Sequence, residues 1–271
     1  MLSRVEKRVY VRYPAPAVHC HRALRVLPPL ERAGQRVTHL AWESDPPPDE
    51  QRETRDALGN RVLELSHRRI ARAWQFRLEL EVAFDPQPVP RATNLPPEGL
   101  GALRLPSALC DAGSPVTEAW HTTGVTRLSG RDIPAHDSEA VAAQLCAWTH
   151  AHLRYQPAQG VAQGASPTLL AGRGMCAEFA HVMIALCRLS GVTARYISGF
   201  NPTEGLMHAW VEALCGEVWL PFDPTHGRAP SAGSVIVACG RDARDTQPHE
   251  GSYLGAPGAQ LESHCRTVVL P

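Results

Sequence analysis

The spacing of apolar and polar positions changes once along this chain. Val5–Tyr13 alternates, as do Arg36–Glu43, Asn60–Leu65 behind the turn signal Leu58-Gly59-Asn60, and Trp74–Phe84, where Trp74, Phe76, Leu78, Leu80, Val82 and Phe84 share one face. A period of two marks a half-buried strand. Asp45-Pro46-Pro47-Pro48 and Pro86–Pro97 cannot continue a sheet, because proline lacks the N–H the ladder needs, and they read as loops. Residues 1–117 therefore read as an all-β, sandwich-like domain, with Leu103–Gly113 as a linker.

From about Val116 the spacing becomes helical. Asp137-Ser138 offers an N-cap ahead of Val141, Leu145 and Trp148. Cys176–Ser190 is apolar on nearly every side (Phe179, Val182, Met183, Ile184, Leu186, Leu189), which predicts a buried helix, and Gly191 suits its end. Val192–Phe200, His208–Leu214 and Val218–Asp223 follow as strands, with Ser234–Cys239 and His264–Leu270 as further candidates. Residues 118–271, C-terminal strands included, read as an α+β unit in which a buried helix packs on an antiparallel sheet.

With 271 residues, 44% of them hydrophobic, the chain is long enough for substantial cores. Lys+Arg and Asp+Glu balance at 27 each, which argues against a nucleic-acid or anionic-membrane partner, since both need a basic footprint. No apolar run approaches the roughly 18–20 residues of a membrane span, and Met1–Tyr13 lacks the apolar stretch of a signal peptide. A cytoplasmic protein is expected. Its eight cysteines contain no C-x-x-C pair, so they read as reduced, packed thiols. His19-Cys20-His21 and His150/His152 do not build a metal site, and no nucleotide-binding glycine motif is present. Neither metal nor cofactor is expected.

Nucleophilic catalysis needs a reactive atom, a base for its proton, and a group that orients the base. Cys176 opens the buried helix, where the helix dipole and free N–H groups favour a thiolate, and Gly174 gives a substrate carbonyl room to approach. A lone cysteine on a core helix is ordinarily a packing residue. His208 and Asp223 alter that reading. A hairpin turning at Cys215-Gly216 sets His208 opposite Asp223, within reach of an imidazole–carboxylate bond.

Three segments carry a resemblance. Gly172-Arg173-Gly174-Met175-Cys176-Ala177-Glu178-Phe179-Ala180-His181, His208-Ala209-Trp210-Val211-Glu212 and Phe222-Asp223-Pro224-Thr225 resemble, in order, the motifs of the bacterial transglutaminase-like superfamily. Ala33–Val37 and Asp56–Asn60 are similar to the N-terminal β-region of these proteins, and Val237–Asp242 to their C-terminal segment. The resemblance implies a papain-like core behind an N-terminal β-region, with Cys176 as nucleophile, His208 as general base and acid, and Asp223 as orienter. Many relatives have Gln-Asp after the cysteine where this chain has Ala177-Glu178. The oxyanion donors would be the Cys176 N–H and a group upstream, with Tyr155 or Gln156 as candidates. Glu178 caps the first turn or contacts substrate, His181 tunes the thiol or bonds backbone, and Trp210 walls the cleft or fills the core. The implied activity is acyl transfer on a peptide or protein amide through a Cys176 thioester, taken by water or an amine. Small-molecule condensation and a non-catalytic peptide-binding module are the alternatives.

Overall fold

The computed structural model describes residues 1–32, 34–85, 97–125, 135–157 and 160–270. It opens with strands β1 (Leu2–Arg12), β2 (Ala17–Leu24), β3 (Glu31–Arg32), β4 (Gln35–Asp45), β5 (Glu50–Arg55), β6 (Arg61–Ile70) and β7 (Ala73–Phe84). Helices α1 (Pro97–Arg104), α2 (Ser114–Thr122) and α3 (Ala135–His152) come next, then β8 (Arg154–Tyr155), α4 (Ala165–Ala171), β9 (Arg173–Gly174) and α5 (Cys176–Leu189). Strands β10 (Ala194–Phe200), β11 (Met207–Cys215), β12 (Val218–Phe222), β13 (Val235–Gly240), β14 (His249–Leu254) and β15 (Gln260–Leu270) complete the order. The architecture is α+β.

Each alternating segment of the N-terminal half lies in a strand. In β7, Trp74, Phe76, Leu78, Leu80 and Val82 all point inward and are at most 1% exposed. They meet Val5, Val9 and Val11 of β1 and Leu24, Leu63 and Leu65 of the facing sheet in one core. Three strands of this half, β2, β3 and β5, were hidden from a periodicity reading. Strand β5 is the wholly polar edge Glu50–Arg55, and β2 loses its alternation at His19, whose φ is 49°.

The sheets also correct the expected division of the chain. One sheet runs β15-β1-β7-β4-β3 and the second β14-β2-β6-β5. Strand β15 pairs with β1 from Leu2↔Leu270 to Arg12↔Gln260, and β14 pairs with β2. The last two strands thus complete the N-terminal sheets rather than the core, because the outer edges of β1 and β2 need ladder partners. Leu103–Gly113 is not a linker either. Cys110 and Val116 are buried with α5, and the Arg188 guanidinium donates to the Leu103 carbonyl at 2.9 Å. The helical unit already includes α1, whose opening Pro97 suits a helix start; the rest of the expected Pro86–Pro97 loop lies outside the described residues. Helix α3 begins at Ala135, so Ser138 sits inside the helix, 4% exposed, instead of capping it.

The core sheet has the order β12-β11-β10-β13. Ala209, Val211 and Ala213 of β11 pack with the buried face of α5 in a single cluster. Strand β13 is an edge, and the N-terminal region covers it with side-chain amides. Gln35 donates to the Ile236 carbonyl and accepts its N–H, both at 2.8 Å, and Asn60 does the same for Cys239 at 2.8 Å.

Candidate active site

The site begins where α5 begins. Met175 is the N-cap residue and Cys176 the first helical one, so the N–H groups of the first turn lack partners within the helix. Glu178 secures this end. One of its oxygens accepts the Met175 N–H at 2.9 Å and the other the Gln163 N–H at 2.9 Å. Both oxygens hold backbone around the cysteine, so of its two expected roles Glu178 takes that of cap. Cys176 is partly exposed and the other seven cysteines are buried.

The parallel pairing of β8 and β9 sets Tyr155 beside Gly174. The Gln156 N–H donates to the Gly174 carbonyl at 2.9 Å and is spent there, which leaves the side-chain amide of Gln156 as its free donor. Gln156, Val161, Arg173, Met175 and Ala177 border a cavity of about 310 Å³ next to the cysteine. Tyr155 is 48% exposed and leans on Phe179, with ring centroids 6.5 Å apart. Partial burial pushes its hydroxyl pKa up, helped by the nearby Cys176, Glu204 and Glu178.

His208 stands near the start of β11, its side chain 2% exposed. Its Nε2 donates to Oδ2 of Asp223 at 2.8 Å, and the Cys176 side chain lies near enough to act on its charge. The register differs from the expected hairpin. Cys215 faces Val218 and Val211 faces Phe222, so the turn is Gly216-Glu217, two residues away from the pairing that puts 208 opposite 223. Displacement by two keeps every side chain on its face, because the side-chain period is two. Asp223 follows the last residue of β12 and is anchored by a bridge to Arg228. Burial works against charge on His208, but the Asp223 bond and the nearby Cys176 outweigh it and raise its pKa to about 10. Burial likewise opposes charge on Asp223, yet the His208 and His226 bonds hold its carboxyl below the usual range. Each group thus favours the charged form of the other.

Trp210 is core rather than cleft wall: it is 1% exposed and packs with Ile197, Ile236 and Cys239. Gly199 makes this possible, since a Cβ there would lie 2.3 Å from the indole ring. Gly199 is also the cross-strand partner of His208, and a glycine inside a strand pattern was the available signal. His181 is fully buried, with its Nδ1 at 2.7 Å from the Gln163 carbonyl and its Nε2 accepting the Ala243 N–H, the structural role of the two considered. Glu212 is bound to Arg195 at 2.7 Å and does not serve His208.

Sequence reading missed His226, whose Nδ1 lies 2.8 Å from the same Asp223 oxygen. His208, Asp223 and His226 are the group of metal-ligand types that converges among the described residues, with candidate atoms within 4.8 Å of one another. The bonds at Oδ2 account for this convergence, each histidine donating a proton to the carboxylate between them.

A thiol at the head of a buried helix, facing a histidine–aspartate pair on an antiparallel sheet, defines a papain-like α+β core. Two family comparisons agree with it. Residues 129–224 match the transglutaminase-like superfamily, and residues 4–83 match the bacterial transglutaminase-like N-terminal region. This chain thus carries a transglutaminase-like superfamily core preceded by a bacterial transglutaminase-like N-terminal region. Among solved structures, a "putative cysteine protease" from Cytophaga hutchinsonii shares the fold with a TM-score of 0.76 at 21% identity, over 100% of this chain and 92% of that one. An uncharacterized protein of Mycobacterium leprae is 29% identical over 151 residues, 52% of this chain and 54% of that protein. One from Mycobacterium bovis is 30% identical over 107 residues, 34% of each. The match thus spans about half the length of the first relative and a third of the second. No helix among the described residues is long and apolar enough to cross a membrane.

Proposed function

We propose that this protein is a cysteine-dependent acyl-transfer enzyme acting on an amide, either a glutamine side chain or a peptide bond. The observation that carries the reading is the buried His208–Asp223 pair, with the carboxylate 2.8 Å from the imidazole, beside a thiol at the head of α5 that is near enough to act on the charge of His208. Cys176 Sγ attacks the amide carbonyl carbon, its proton having passed to His208. The carbonyl oxygen gains the charge, and the free first-turn N–H of Cys176 faces it, with the side chain of Tyr155 or Gln156 as the second donor. The C–N bond then breaks, His208 returns the proton to the departing nitrogen, and a thioester remains on Cys176. Water or an amine attacks that thioester while His208 takes its proton, and the thiol is restored. Asp223 stays ionised and holds the ring throughout.

The test is intact-protein mass spectrometry after exposure to glutamine-containing peptides, with and without a primary amine. An adduct on Cys176 of the acyl mass, cleared by water or amine and absent in Cys176→Ala, supports the reading. A chain that binds such peptides without any adduct or product would instead be a binding module.

A further inference from the structure

Asp223 serves two histidines. His208 Nε2 and His226 Nδ1 both reach its Oδ2 at 2.8 Å, while its Oδ1 accepts the Thr225 N–H at 3.0 Å. The His226 side chain is 30% exposed and the Asp223 side chain 1%, so the His226 ring stands at the solvent side of the carboxylate. Its centroid is 5.4 Å from that of His208. Its far nitrogen, Nε2, is 3.7 Å from Oε1 of Glu204, in the loop that leads into His208. The turn presenting His226 is held in its turn by α3. His150 Nδ1 donates to the Thr225 carbonyl at 2.9 Å, and Gly227, at φ 65°, leaves room for the His150 ring where a Cβ would come within 2.8 Å.

We propose that His226 is a positioning residue for the Cys176 chemistry, fixing the Asp223 carboxylate by a second hydrogen bond and keeping water from the His208–Asp223 bond. The proposal rests on the acyl-transfer reading above. The groups acting on the chain of contacts are Cys176 and Asp223 at His208, the Thr225 N–H and His226 at Asp223, and Glu204 at His226. Oδ2 is the single oxygen through which His208 is oriented. A carboxylate free to rotate, or to take a water in place of His226, would hold the imidazolium less firmly, since a hydrogen bond to an ion is stronger in a dry site than in water. A residue that merely shaped the turn would leave the protonation of His208 unchanged. The superfamily match ends at residue 224, so His226 lies just outside it.

The test uses the full chain and needs no acyl donor, so its failure is distinct from failure of the acyl-transfer reading. The His208 ring is followed by nitrogen NMR across pH, and Cys176 alkylation by iodoacetamide is timed in parallel. In the native chain His208 is expected to stay doubly protonated well above the ordinary histidine midpoint, because Asp223 and Cys176 raise its pKa. His226→Ala is expected to lower the His208 midpoint by about one pH unit or more and to slow alkylation about fivefold. His226→Asn, whose amide nitrogen stands where Nδ1 does, should recover at least half of both losses. Unchanged midpoint and alkylation in His226→Ala overturn the proposal, and so does an Asn variant as impaired as the Ala variant. If the Ala variant does not fold, His226→Phe, which keeps a ring but lacks the donor, takes its place in the same comparison.

Discussion

His208 and Asp223 are bonded at 2.8 Å without being cross-strand partners. Extending the β11–β12 register would set Asp223 opposite Trp210, one side-chain position along the same face from His208. The bond is therefore diagonal, and Asp223 reaches back along the strand because it lies beyond the last ladder pair, in a turn pinned by Arg228.

Replacing Asp223 by Asn keeps the shape but removes the charge. Turnover should fall by about 10³–10⁴, the scale of the equivalent change in a Ser-His-Asp enzyme, with circular dichroism unchanged. Activity within tenfold of the native rate would show that another group orients His208.

Cys176 should be the first thiol to react. The other seven are buried, and burial pushes Cys110, Cys146 and Cys215 up to about 12. Timed iodoacetamide labelling with peptide mapping should find Cys176 modified at least about tenfold faster than Cys146 or Cys187. Equal rates would remove it as nucleophile.

The His208–Asp223 pair also gives stability a defined pH window. His208, raised to about 10, contributes fully below its ordinary 6.5 and loses that contribution as pH climbs through about 10. Asp223, lowered, contributes above its ordinary 3.8 and loses that as pH falls. The gap in melting temperature between the native chain and Asp223→Asn should be widest between those ordinary values and shrink towards pH 10. A gap constant with pH would mean the pair is not ionised.

Glu178→Ala strips acceptors from two backbone N–H groups beside the nucleophile. A loss of about 1–3 kcal/mol is expected in urea unfolding, with slower alkylation of Cys176 because the helix start loosens. Glu178→Gln, which keeps an acceptor oxygen, should lose less.

Much of the site was legible because it depends on short-range pattern. An apolar run bounded by Gly174 and Gly191 predicts a buried helix with Cys176 at its head, and alternation gives His208 and Asp223 one face. The exact turn was not legible, since Cys215-Gly216 and Gly216-Glu217 are both plausible tips, but an error of two residues leaves the faces intact. His226 was missed because its role depends on where a turn folds after β12, which no periodicity encodes. The ends of the chain were misassigned for a similar reason. The ladder between β1 and β15 joins residues at opposite ends of the sequence, and strand pairing over such distances leaves no local trace. Strand β5 shows the limit of hydrophobic reading: an edge that faces water on both sides looks like a loop.

The amides of Gln35 and Asn60 recognise β13 only through its main chain. Recognition of that kind is blind to the side chains of Ile236 and Cys239, so those two positions can change while the amide contacts persist. Grafting a different β-region onto this core would have to carry over two carboxamides at fixed spacing as well as the apolar surface that receives Val235, Val237 and Ala238. The two halves of the protein are thus coupled at β13 twice over, by main-chain geometry at Ile236 and Cys239 and by side-chain packing at Val235, Val237 and Ala238.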